Sequence, residues 1–96
     1  MEQQVFDTAF HATAKDPADA ARKVARAQLM MQIEDIIRRN GWTQAEAARR
    51  CGVTQPRINL LLKHQFHKFS LDSLVRMAAH LGQRIEIELT DTPEAA

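Results

Sequence analysis

A lone cysteine, Cys51, and two histidines three residues apart, His64 and His67, are the side chains whose types could do covalent or metal chemistry. Two imidazoles do not complete a zinc site, and no cysteine or carboxylate joins them at ligand spacing. Cys51 and His80 would make a nucleophile and its base, but Cys51 falls at an interior position between two short helices, where a thiol is inert. No glycine-rich phosphate loop occurs. An enzyme is therefore not expected, nor a metal or another cofactor. The chemistry that the composition favours is electrostatic. Residues 38–84 carry nine Lys/Arg against two acids, Glu46 and Asp72, whereas residues 85–96 carry four acids and no base. A basic middle between acidic ends, in a chain of net charge +1, marks either a polyanion-facing surface or a mixed solvated one.

The elements that would position such a surface belong to one small domain. A chain of 96 residues buries roughly 60–65% of its unfolded surface and gains from an oligomeric or other partner. Hydrophobic content of 45% and charged content of 26% are ordinary for a globular protein. With no apolar run near about 18 residues, no signal-peptide pattern and no cysteine pair, a cytoplasmic protein without a membrane partner is expected.

Asp16-Pro17 reads as an N-cap and first helical position, and nothing breaks the helix until Asn40-Gly41. This long N-terminal helix carries Leu29, Met30, Ile33, Ile36 and Ile37 on one side, enough to close a core. A second stripe, Ala20, Val24, Ala27 and Met31, is more than one small core requires. It either covers Phe6 and Phe10, folded back from a tail at residues 1–15, or binds a dimer mate or another protein. Thr43, with Glu46 as a capping box, starts a helix ending at Gly52. Thr54 starts another over 55–63, and Ser70 a third over 71–81, stopped by Gly82. Residues 64–69 connect them, with Phe66 or Phe69 turned inward, and Trp42 packs over the core. The stretch "RIEIEL", residues 84–89, alternates apolar and charged residues and predicts a half-buried strand. A lone strand has no ladder, so Ile85, Ile87 and Leu89 are expected to pair across a homodimer. The expected fold is all-α: a helix-turn-helix domain of four to five helices over residues 16–83, one C-terminal dimerisation strand over 84–90, and a disordered tail over 91–96.

Residues 43–63 hold the bend. Gly52 permits a positive φ, Ala48 lets two helices cross closely, and Val53, Ile58 and Leu61 tie the second helix to the core. Pro56 is tolerated because a first-turn N–H has no intrahelical use. Two helices joined by so short a turn make a helix-turn-helix. "TQAEAARRCGVTQ" followed by "I..LL" resembles the XRE family of lambdoid phage repressors and Cro proteins, and the likeness extends over residues 33–82.

That resemblance implies a lambda repressor-like domain that binds double-stranded DNA, its second helix in the major groove and its first across the backbone. By position it assigns Thr43, Gln44 and Thr54 to phosphate, and Gln55 and Arg57 to adenine and guanine edges beside Pro56. Asn59 and Lys63 fall to backbone or bases, and Lys68 and Ser70 to a phosphate clamp. Leu60 stands where many relatives carry a polar residue, leaving thymine-methyl contact or added packing. "FSLDSLVRMAAHLG" and "IEIEL" after a long helix look most like the HigA-type antitoxins. This likeness implies a repressor of its own operon that acts on a palindromic operator and binds a RelE-like ribonuclease toxin. His64 departs from the glycine that related chains often carry there. Two other readings compete: a stand-alone phage-type transcriptional regulator, and a protein-interaction module that no longer binds DNA.

Overall fold

Three of the four helices start at a side chain that accepts one of the backbone N–H groups left over in a first turn. In the computed structural model, which describes residues 16–91, the Asp16 carboxylate accepts the Asp19 N–H at 2.7 Å and opens helix α1, Pro17–Arg39. Thr43 Oγ1 accepts the Glu46 N–H at 3.1 Å and opens α2, Gln44–Cys51. Ser70 Oγ accepts the Ser73 N–H at 3.1 Å; the helix behind it is preceded by α3, Gln55–Leu62, and is α4, Leu71–His80. A 3-10 turn, Phe66–Lys68, lies between α3 and α4. The capping box at Thr43 is half formed. Glu46 does not reach back; its carboxylate takes Arg50 Nε at 2.6 Å and the Arg49 guanidinium. Two charged donors outcompete one backbone N–H, and they hold the Glu46 carboxyl below its usual range.

All four helices stop by one device. A backbone N–H beyond the helix returns to a carbonyl five residues back: Trp42 to Ile37, Val53 to Ala48, Gln65 to Leu60 and Gln83 to Ala78, at 3.0–3.2 Å. The closure needs one left-handed residue. The chain's three glycines supply three, at φ 64 for Gly41, 70 for Gly52 and 76 for Gly82, and His64 supplies the fourth at φ 59. Gly52 is constrained twice, because a Cβ there would also lie 2.9 Å from the His80 ring. Gly52→Ala is expected to destabilise the fold by about 1–2 kcal/mol, the left-handed penalty of an L-residue, read as a lowered thermal midpoint.

The core is one cluster. It takes Met30, Ile33 and Ile37 from α1, Ala47, Ala48 and Cys51 from α2, Ile58 and Leu61 from α3, then Phe69, Leu74 and Met77. Helix α2 packs on α3, and α4 packs on both α1 and α2. No helix among the described residues is long and apolar enough to cross a membrane.

One expectation changes. The strand predicted at residues 84–90 is not there: the described residues form helices and no strand. Ile85, Ile87 and Leu89 are instead exposed, at 38%, 86% and 96%. Alternation records which side chains want cover, but a strand exists only as a member of a ladder, and the described chain offers no second member. The fold is therefore all-α with four helices, without the dimerisation strand. The second stripe of α1, read as covered by the chain's own tail or by a partner, is not an open face. Ala20 and Ala27 are fully buried, Val24 is buried and Met31 half-buried, so these positions are closed off within the chain. Phe6 and Phe10, with the expected tail at 1–15 and all but Asp91 of the one expected at 91–96, lie outside the described residues.

Candidate nucleic-acid interface

The periodicity of α3 sorts its side chains. Ile58 and Leu61, both fully buried, define the inner face. At about 100° per residue, Gln55, Pro56, Asn59 and Lys63 fall on the outer side; Gln55, Pro56 and Lys63 are exposed and Asn59 half-buried. Within the described chain, the amides of Gln55 and Asn59 and the amine of Lys63 make no hydrogen bond or ion pair. Leu60 is half-buried and packs against the core cluster, so packing accounts for its apolar character.

Thr54 occupies the N-cap position of α3 in extended backbone, yet its hydroxyl caps nothing. The physical reason is Pro56, which sits at the second helical position and has no N–H to offer. The next N–H, that of Arg57, goes to the Thr54 carbonyl at 3.1 Å. The Thr54 hydroxyl thus stays unpaired on an exposed edge. Two other polar heads have no partner in the described chain: the amide of Gln44 at the start of α2, and the exposed amine of Lys68 after α3. Thr43 and Ser70 use one lone pair each as caps and keep an O–H that can donate.

Arg57 is placed differently from the other expected contacts. Its Nη1 donates to the Lys68 carbonyl at 3.0 Å, and its guanidinium lies 4.2 Å from the Phe69 ring centroid. Phe69, the inward-turned aromatic of the connection, is 1% exposed.

The far end of α3 is tied as well. Glu34 on α1, a buried carboxylate, pairs through Oε1 with His64 Nε2 at 2.7 Å and through Oε2 with Arg38 Nε at 2.7 Å. Burial pushes its carboxyl up, but the hydrogen bonds and charges of Arg38 and His64 outweigh it and hold the group below its ordinary value. An ionised Glu34 accepts, so His64 Nε2 carries the proton. The spacing of Glu34 and Arg38 is that of a helical ion pair; the link to His64, thirty residues on, has no local signature. Elsewhere Arg50 stacks on half-buried Trp42, 4.7 Å from the ring centroid. Cys51 is fully buried, which pushes its thiol up to about 11.

Two short helices crossing at a glycine turn, with the second one's outer side lined by unpaired amides and an amine, form a groove-reading arrangement. A family model described as a helix-turn-helix domain matches residues 13–90. The chain belongs to this helix-turn-helix domain family. None of the curated proteins matches it at a significant level. In this helix-turn-helix protein α2 and α3 are the first and second helices of the motif, and the domain supports DNA binding.

Proposed function

We propose that this helix-turn-helix protein is a sequence-specific transcriptional repressor of the XRE type. It acts in the cytoplasm as a homodimer on a palindromic operator, and as the antitoxin of a type II toxin–antitoxin pair that autoregulates its operon. The observation that carries the DNA reading is the outer side of the recognition helix, where Gln55, Asn59, Lys63 and the Thr54 hydroxyl have no partner in the described chain. Amides, an amine and a hydroxyl that are not committed within the chain, on the outer side of a groove-sized helix, suit base edges and phosphates. A two-fold dimer places two such helices one turn of duplex apart, which accounts for the palindrome. Support for the antitoxin role is the likeness of residues 69–82, and of the long helix before the motif, to HigA-type chains.

Titration of the protein against the duplex upstream of its own gene, and against an unrelated duplex, tests the DNA reading. Tighter binding to the first is expected, with log K falling against log salt by about 0.9 for each phosphate contacted. Equal, salt-insensitive affinity for both would leave a protein-interaction module. Co-expression with the neighbouring small reading frame tests the partner. Growth arrest by the neighbour, relieved in a stable complex with this protein, supports the antitoxin; no arrest and no complex leaves a stand-alone regulator.

A further inference from the structure

The recognition helix divides its polar residues between two sides. Gln55 and Asn59, one turn apart, lie within about 40° of each other, whereas Arg57 is about 160° round the helix from both. Its guanidinium is already occupied by two groups of the connection after α3: the Lys68 carbonyl at 3.0 Å and the face of buried Phe69 at 4.2 Å. To reach a base edge, Arg57 would release a hydrogen bond and uncover one face of a core aromatic. Gln55 and Asn59 have nothing to release. The same connection carries Lys68 and leads into Ser70 at the start of α4, both of them on the expected phosphate clamp.

Resting on the DNA reading above, we propose that Arg57 is a positioning residue. It locks the first turn of α3 to Lys68 and Phe69 and so sets the pitch at which Gln55 and Asn59 meet the bases, with sequence preference carried by those two amides. Lysine at this position keeps a cation over Phe69 but loses the planar head that serves a ring and a carbonyl at once.

Selection of half-sites from a randomised duplex library, with wild type, Arg57→Ala, Arg57→Lys, Gln55→Ala and Asn59→Ala, decides the matter. Each variant is compared at equal folded fraction by circular dichroism. The expected result is that Arg57→Ala loses at least about 10-fold affinity for the preferred duplex and blurs the positions that Gln55→Ala and Asn59→Ala also blur. Its salt slope stays at the wild-type value, and Arg57→Lys recovers part of the preference. Loss of preference at one base pair that neither amide variant touches makes Arg57 a base reader and overturns the proposal. So does a slope shallower by about 0.9 with preference intact, the mark of a lost phosphate contact. Unchanged preference and slope at equal folded fraction would reduce Arg57 to a structural residue. A wild type that enriches no sequence overturns the DNA reading itself, and the proposal with it.

Discussion

Phe69→Ala is expected to lower the stability of the chain by about 3–5 kcal/mol, the range for truncating a fully buried aromatic. The ring is 1% exposed and belongs to the core cluster, and three groups depend on where it stands. Arg57 stacks on its face, its carbonyl accepts from Arg26 Nη1 of α1 at 3.4 Å, and its backbone closes the 3-10 turn through a bond to the Phe66 carbonyl. A domain of this size has about 5–15 kcal/mol in all, and each kcal/mol moves its midpoint by about 4–8 °C. Thermal denaturation followed by circular dichroism should therefore show a midpoint at least about 12 °C lower. A shift of only a few degrees would mean that neighbouring side chains collapse into the space, and that Phe69 is not the keystone of the connection.

Glu34→Ala comes second, at about 1.5–3 kcal/mol near neutral pH, the range for a hydrogen bond to a charged group. His64 and Arg38 are partly exposed, so water compensates them and the full penalty of a broken buried pair does not apply. The pH dependence has a definite sign. A carboxyl whose folded pKa is depressed contributes stability that is present above its unfolded value, 4.5, and lost as pH falls through the folded value. Wild type and Glu34→Ala should accordingly differ most at about pH 6–7, roughly two units above the unfolded value, and converge in acid. Urea titrations at several pH values would measure this. A difference that persists undiminished at about pH 3 would assign the loss to packing rather than to the carboxylate. His64→Gly should cost less than Glu34→Ala, because glycine relieves the left-handed backbone at φ 59 even as it removes the hydrogen bond.

Local signals in the sequence located the helices well because each start and stop is a local event. Asp16, Thr43 and Ser70 precede the first turns that they cap, and Gly41, Gly52 and Gly82 follow the turns that they close. Two misreadings have the opposite origin. Residues 84–89 carry a strand's alternation, but pairing depends on a second edge that no pattern within those residues can specify. Glu46 has the spacing of a capping box, yet the guanidiniums of the following turn claimed it. Of the candidate site, Gln55, Asn59 and Lys63 were named through the resemblance, and the periodicity of α3 puts them on its outer side. The fastening of Arg57 to Lys68 and Phe69, and of Glu34 to His64, joins residues eleven and thirty apart through a fold that sequence spacing does not encode.

Helix α3 has eight residues, and an isolated helix of that length does not persist in water. Here its first turn is tied through Arg57 to the connection, and the chain just past its end is tied through His64 to α1. The element that would enter a groove is thus shaped before any encounter. Association then need not supply the ordering entropy of a helix, a term that weakens binders which fold as they dock. In calorimetry, the heat-capacity change on complex formation would scale with the contact area alone and carry no coupled-folding contribution. Loosening either tie would transfer part of the affinity into that folding step without altering a single atom at the contact surface.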